Sequence, residues 1–182
     1  MVERGNIKMA QSYNIKEVTV ADVKELQAVS RQTFLETFGS QNSAENMKEF
    51  LNEAYAAEKL KDEIENPNSS FYFLTVADQV AGYLKVNEKD AQTEQVVSNA
   101  LEVERIYLKQ SFQHQGLGLV LIKLAEKIAE EKNKSNIWLG VWEKNYQAQA
   151  FYKKDGFERI SQHTFVVGED PQTDFILVKR IK

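Results

Sequence analysis

Apolar residues recur along this chain in two rhythms. From Asp22 onward, Val23, Leu26, Val29, Phe34 and Phe38 return at roughly helical spacing, and Gly39 offers a stop. Ser43 to Glu53 and Ala56 to Glu65 read as two shorter helices; the first lacks a full capping box, but Ser43 can cap it. Ser70 to Val76 and Val80 to Val86 are rich in aromatic and β-branched residues, so they read as strands joined by a tight turn at Ala77-Asp78-Gln79. Asn14 to Thr19, Leu101 to Leu108, Ile137 to Trp142, Phe157 to Val167 and Phe175 to Lys179 read as further strands. Leu117, Leu121, Leu124 and Ile128 are spaced four, three and four apart, so a helix buries that stripe. Ala148 to Lys154 is a last helix. The order β, helices, β-β-β, α, β, α, β-β predicts a mixed α/β sheet with helices on both faces.

Composition narrows this picture. A chain of 182 residues fits one domain, assigned to 14–182, behind a polar leader over 1–13 for which disorder is the expectation. There is no cysteine, which excludes disulfides, thiol nucleophiles and cysteine–metal sites. The net charge of −4 argues against nonspecific nucleic-acid binding and suits a cationic substrate better than an anionic one. No apolar run could span a bilayer, and the start has no apolar core for export, so a cytoplasmic location is the default expectation. His114 and His163 are the only histidines, without ligand-like clusters, so no metal site is expected.

Two segments carry chemistry. Gln113-His114-Gln115-Gly116-Leu117-Gly118 lies between a strand and the stripe helix. A helix N-terminus offers unpaired N–H groups and a positive dipole end, and glycines let an anion approach the backbone. The alternative is an ordinary strand-to-helix turn. A Rossmann fingerprint would need glycine where Leu121 stands, and a P-loop would need Gly-Lys-Ser/Thr; neither is present. Lys109, Lys123, Lys153 and Lys154 either add counter-charge or are solvated surface lysines. The second segment runs from Asn145 to Phe157. Ala148 and Tyr152 are four apart and share a helix face; Asn145 is an N-cap or a ligand contact; Gly156 ends the helix.

Jointly, Q-x-x-G-x-G and N-x-x-A-x-x-F-Y-x-K-x-G-F resemble the GCN5-related N-acetyltransferases (GNAT), over about Asn14 to the C-terminus. LEVERIYLKQSFQHQGLG, NIWLGVWEKN and PQTDF are similar to the bacterial PaiA-type polyamine acetyltransferases. The resemblance implies the GNAT fold: a mixed, mostly antiparallel central sheet of about seven strands, splayed at strands 4 and 5, with helices on both faces. It implies acetyl-CoA as co-substrate and no metal. Ile106, Tyr107 and Leu108 would offer backbone groups to the pantetheine arm. Gln113, His114, Gln115, Gly116, Leu117 and Gly118 would hold the pyrophosphate, with Asn145 and Lys154 also on the cofactor. Tyr152 would be the general acid at the sulfur. Where the family often has Arg or Lys in the loop, this chain has His114 and Gln115.

Acetyl transfer needs a neutral amine, a donor for the carbonyl and a proton for the leaving thiolate. Tyr152 suits the last role, because a phenol with an unperturbed pKa near ~10 stays protonated at neutral pH. Glu102 and Glu104 alternate on one strand and share a face; they are exposed strand residues, or a base and a substrate contact. The resemblance singles out Glu104, turned toward substrate by a bulge, for substrate contact or for proton relay through water; alternation places Arg105 on the opposite face, where it would pair with an acid. Trp138 and Trp142 share a face; core packing competes with an ammonium contact at Trp142. Phe34 and Phe38, with Tyr55, are expected to wall the acceptor pocket. The expectation is a polyamine N-acetyltransferase acting by direct transfer, with no nucleic-acid or membrane partner. The alternatives are acetylation of a protein N-terminus or lysine, and a non-catalytic acetyl-CoA sensor. A homodimer is common in the family and is left open.

Overall fold

In a computed structural model, residues 12–167 and 169–181 are described. The leader assigned to 1–13 lies almost wholly outside them. The chain runs through β1 (Tyr13–Glu17), α1 (Val23–Phe38), α2 (Ala44–Ala54), α3 (Ala57–Glu65), β2 (Ser69–Val76) and β3 (Gln79–Asn87). It continues through β4 (Ala100–Leu108), α4 (Leu117–Glu131), β5 (Asn136–Trp142), α5 (Tyr146–Lys154), β6 (Glu158–Val167) and β7 (Asp170–Arg180). The strands form one seven-stranded sheet in the order β1-β2-β3-β4-β5-β7-β6. Among the described residues only β4 and β5 pair in parallel; every other neighbouring pair is antiparallel.

Local sequence explains most boundaries. Ala77 and Asp78 both take positive φ, 48° and 60°, which makes the mirror-image turn a two-residue hairpin needs, here without glycine. Ser43 Oγ accepts from Asn46 N–H at 3.1 Å and caps α2. Gly39 does not stop α1 through a left-handed turn: its φ is −61°, and the chain runs on into a 3₁₀ turn at Gly39–Gln41. Gly156 does end α5 in the left-handed region, at φ 91°.

Alternation along the strands feeds two cores. Phe71, Phe73 and Tyr83 face α1–α3 and pack with Leu26, Phe34 and Leu60. Leu74, Val76, Leu84 and Leu101 face the other way, onto Leu117, Leu121 and Ile128 of α4 and Tyr152 of α5. The expected stripe of α4 is thus the buried one, with Leu124 half-buried at its margin.

Two irregularities in β4 open the sheet. Its pairing with β5 covers only Ala100↔Asn136, Leu101↔Ile137 and Glu102↔Trp138. Beyond that, β4 stays with β3 as far as Leu108, while β5 stays with β7 as far as Trp142. The second irregularity is a register shift: Val86 pairs with Val103 but Lys85 with Arg105, so Glu104 is the extra residue of a bulge. Close approach of β3 and β4 at the splay depends on Gly82, where a Cβ would lie 2.2 Å from the Tyr107 carbonyl oxygen. Gly82→Ala is therefore expected to cost about 3 kcal/mol through backbone displacement, read as a lowered urea midpoint. An unchanged midpoint would mean the strands separate there freely.

Candidate active site

A cleft of about 950 Å³ lies where β4 and β5 part. Ile106, Tyr107 and Leu108 line one wall, and Gly140, Val141 and Trp142 the other. The facing strand edges pair with each other only at the closed end of the splay, so the walls offer backbone polar groups to a ligand. Phe34, Phe38, Phe50 and Tyr55 close the side toward α1 and α2. Phe34 stacks on Phe50 at 4.3 Å between centroids, and Phe38 tilts against Trp142 at 5.2 Å.

At one end of the cleft stands the start of α4. Gly116 has φ 81° and is the residue before the helix; His114 also takes positive φ, 61°. Gln113, His114, Gly116 and Gly118 line the cleft. A Cβ on Gly118 would meet nothing closer than Phe151 at 3.8 Å, so protein packing alone does not demand glycine there. Leu117 is instead fully buried in the core, and the Gln115 side chain bonds back to the Ser111 carbonyl at 3.1 Å. Lys154 sits exposed on the last turn of α5 and is not part of the lining. Asn145 is the N-cap: its Oδ1 caps α5 by accepting from Ala148 N–H at 3.1 Å, and the residue also lines the cleft.

Tyr152 projects from α5 into the same cleft. It is only 7% exposed and packs edge-on between Phe151 and Phe157. Burial pushes its phenol up. Tyr107 on the facing wall is likewise raised by burial, with the charges of Tyr83, Asp174 and Tyr152 adding to it.

Glu102 and Glu104 share a face, and Asn87 Nδ2 donates to both, at 3.0 and 2.6 Å. Glu102 is buried, takes hydrogen bonds from the Thr93 backbone and hydroxyl, and is raised by burial. Glu104 differs. Burial alone would raise it, but Arg105 and Lys85 outweigh that and hold its carboxyl below the usual range. Lys85 Nζ is 2.5 Å from Glu104 Oε2 and 3.1 Å from Glu63 Oε2. Arg105 is not on the opposite face. The bulge turns it to the same side as Glu104, where it grips Glu63 with both nitrogens at 2.9 and 3.0 Å and reaches Glu104 at 3.1 Å.

Trp138 and Trp142 share a face, as their spacing requires, and both line the cleft. Trp138 donates to Gln92 Oε1 at 2.8 Å. Trp142 already carries the chain's own cation, Lys144 Nζ, 5.8 Å from its ring. A cluster that sequence reading missed lies beyond it: His163 touches Glu94 through Nδ1 and faces Asp174 Oδ2 through Nε2 at 3.6 Å, and all three line the cleft. The signal was in the hairpin register. A β6–β7 turn near residue 169 brings His163 opposite Asp174. Among the described residues no group of three or more His, Cys, Asp or Glu is placed to hold a metal ion.

The Acetyltransferase (GNAT) family matches residues 28–157. The chain belongs to the GNAT acetyltransferase family. Its relatives agree. An uncharacterized N-acetyltransferase in the pepI 3′ region of Lactobacillus delbrueckii subsp. lactis is 51% identical, over 92% of this chain and 96% of that protein. Spermidine N(1)-acetyltransferase of Thermoplasma acidophilum is 28% identical, over 93% and 98%. Among solved structures, the PaiA N-acetyltransferase of T. acidophilum in complex with coenzyme A superposes with a TM-score of 0.75 at 26% identity, covering 93% of this chain and 99% of that one. This acetyltransferase therefore has the GNAT fold and takes acetyl-CoA as co-substrate. The open strand edges, the glycine at φ 81° before α4 and the room over Gly118 fit that molecule. Among the described residues, no helix is long and apolar enough to cross a membrane.

Proposed function

We propose that this acetyltransferase modifies a primary amine of a polyamine of the spermidine or spermine class, by direct transfer with both substrates bound. The observation that carries this reading is the charge of the cleft. Glu36, Glu94, Glu102, Glu104 and Asp174 line it against Lys59, Arg105 and Lys144, so the lining favours a cation. The relative named spermidine N(1)-acetyltransferase supports the same class.

Acetyl-CoA supplies an acetyl group activated as a thioester. The chain's residues do the rest. Backbone groups of Ile106, Tyr107 and Leu108 hold the extended arm. N–H groups of the loop from Gln113 to Gly118 hold the pyrophosphate, with Gln115 and Leu117 serving through backbone only. Asn145 fixes the wall beside them. Lys154 contributes only long-range counter-charge, because its side chain is off the lining. Tyr152 delivers a proton to sulfur. Phe34, Phe38 and Trp142 shape the acceptor side, and Glu102 adds negative charge there. Glu104 is held ionised by two cations, so in this reading it frames the acceptor site and is a poor proton acceptor.

The test is CoA release over a panel of spermidine, spermine, small monoamines and lysine peptides. Spermidine or spermine should give the highest kcat/KM. A lysine peptide or N-terminal amine turned over while both polyamines stay at background would overturn the acceptor class and leave the family untouched.

A further inference from the structure

Trp142, Asp174 and His163 stand side by side on β5, β7 and β6 at one level of the sheet. Cross-strand partners point to one face, so the three side chains form a row on the cleft wall. Glu94, from the loop before β4, extends the row past His163. Exposure rises along it, with side chains 17% exposed at Asp174, 26% at His163 and 44% at Glu94. The chain of carboxylate, imidazole and carboxylate thus leads from the cleft to solvent. The two carboxylates flank opposite ring nitrogens, so they do not converge on one ion.

Two observations point from this row to a bound partner. Trp142 is more than nine-tenths buried, and its Nε1 has no hydrogen-bond partner. Asp174 Oδ1, directly across the strand pair, is also buried without a partner. A native structure seldom leaves a donor and an acceptor orphaned together unless something else completes them. The neighbouring position is Gly140, where a Cβ would stand 3.4 Å from Asp174 Oδ2 and 3.7 Å from His163 Nε2. The missing side chain leaves the pair uncovered.

Neither β4 carboxylate competes well as a proton acceptor. Glu104 is clamped by Lys85, Arg105 and Asn87, and Glu102 by Asn87 and Thr93. Resting on the acetyltransferase reading above, we propose that Asp174 is the general base of the transfer and that His163 and Glu94 carry its proton to solvent. An N–H bond of the acceptor ammonium breaks and the proton joins Asp174. It passes to His163 Nε2 as the Nδ1 proton leaves through Glu94 to water. The freed lone pair forms the C–N bond as the C–S bond breaks. Sulfur takes a proton from Tyr152, whose phenol is restored by the amine's second proton. One acetyl group moves and one proton is released. Burial raises the Asp174 carboxyl, and Glu143 adds to that while His163 opposes it, which brings it closer to an amine's range. The other groups facing the row are Tyr107 and Lys144.

The test compares the full-length protein with Asp174→Asn, His163→Gln and Glu94→Gln, using spermidine or the best amine of the panel, across pH. Asp174→Asn should lower kcat about 100-fold at neutral pH, with the acetyl-CoA Kd by calorimetry unchanged. The loss should shrink as pH approaches the amine's own pKa, because free amine then needs no base. His163→Gln should show a smaller loss with the same pH trend, and it carries the test if Asp174→Asn fails to fold by circular dichroism. A loss uniform in pH, or under about threefold in both variants, overturns the base assignment alone. A wild-type protein that turns over no amine overturns the acceptor reading, and the base with it.

Discussion

Tyr152→Phe is expected to lower kcat by 10²- to 10³-fold, roughly 3 to 4 kcal/mol of barrier, while the Kd for acetyl-CoA moves little. Three observations set that size. The ring is held by Phe151 at 5.2 Å and Phe157 at 5.6 Å, so phenylalanine keeps the packing and removes only the hydroxyl. Burial raises the phenol, so it remains a donor over the whole working pH range and is not titrated away. The residue lines the splay between β4 and β5, in the cleft that Asp174 also lines. The proposed acid and the proposed base thus line one cleft. Steady-state kinetics with calorimetry of acetyl-CoA binding would decide it. A kcat within threefold of wild type would leave thiolate departure without need of a protein acid.

The sequence made the sheet readable because each strand's alternation is local. Phe71 and Phe73 against Leu74 and Val76 already separate the two cores. Helix caps were readable for the same reason: Ser43 and Asn145 bond within three residues of themselves. The bulge at Glu104 entered only through the family resemblance, since period-two counting assigns Glu104 and Arg105 to opposite faces. Only the pairing of Lys85 with Arg105 shows that an extra residue resets the count. The row of Glu94, His163 and Asp174 was hidden for a related reason. Its members are far apart along the chain and meet only through hairpin register and the splay. Lys154 shows a different limit: the motif marks its position, while its exposure and its place off the cleft lining come only from the fold.

Arg105→Ala is expected to destabilise the fold by about 3 to 5 kcal/mol, the largest stability effect of any single change proposed. Arg105 is buried, bonds Glu63 through two nitrogens, reaches Glu104, and lies 5.3 Å over the Tyr55 ring. Alanine would leave Glu63 and Glu104 to share Lys85 alone in a site with little water. Two carboxylates against one ammonium is an uncompensated buried charge, which costs more than the pair itself contributed. Arg105→Lys should lose less, because an ammonium restores the charge but not the two-pronged grip. The sign of the pH dependence follows from Glu104. In the wild type its folded pKa is depressed, so it contributes stability above its unfolded pKa and loses it as pH falls through the folded value. In Arg105→Ala the depression is relieved, so there is less to lose. The gap between the two proteins should therefore narrow as pH falls through the carboxylate range. Urea unfolding at neutral and acidic pH measures both. A gap under about 1 kcal/mol at neutral pH would show that water screens this network, and that the bulge beside the acceptor site is held by backbone pairing alone.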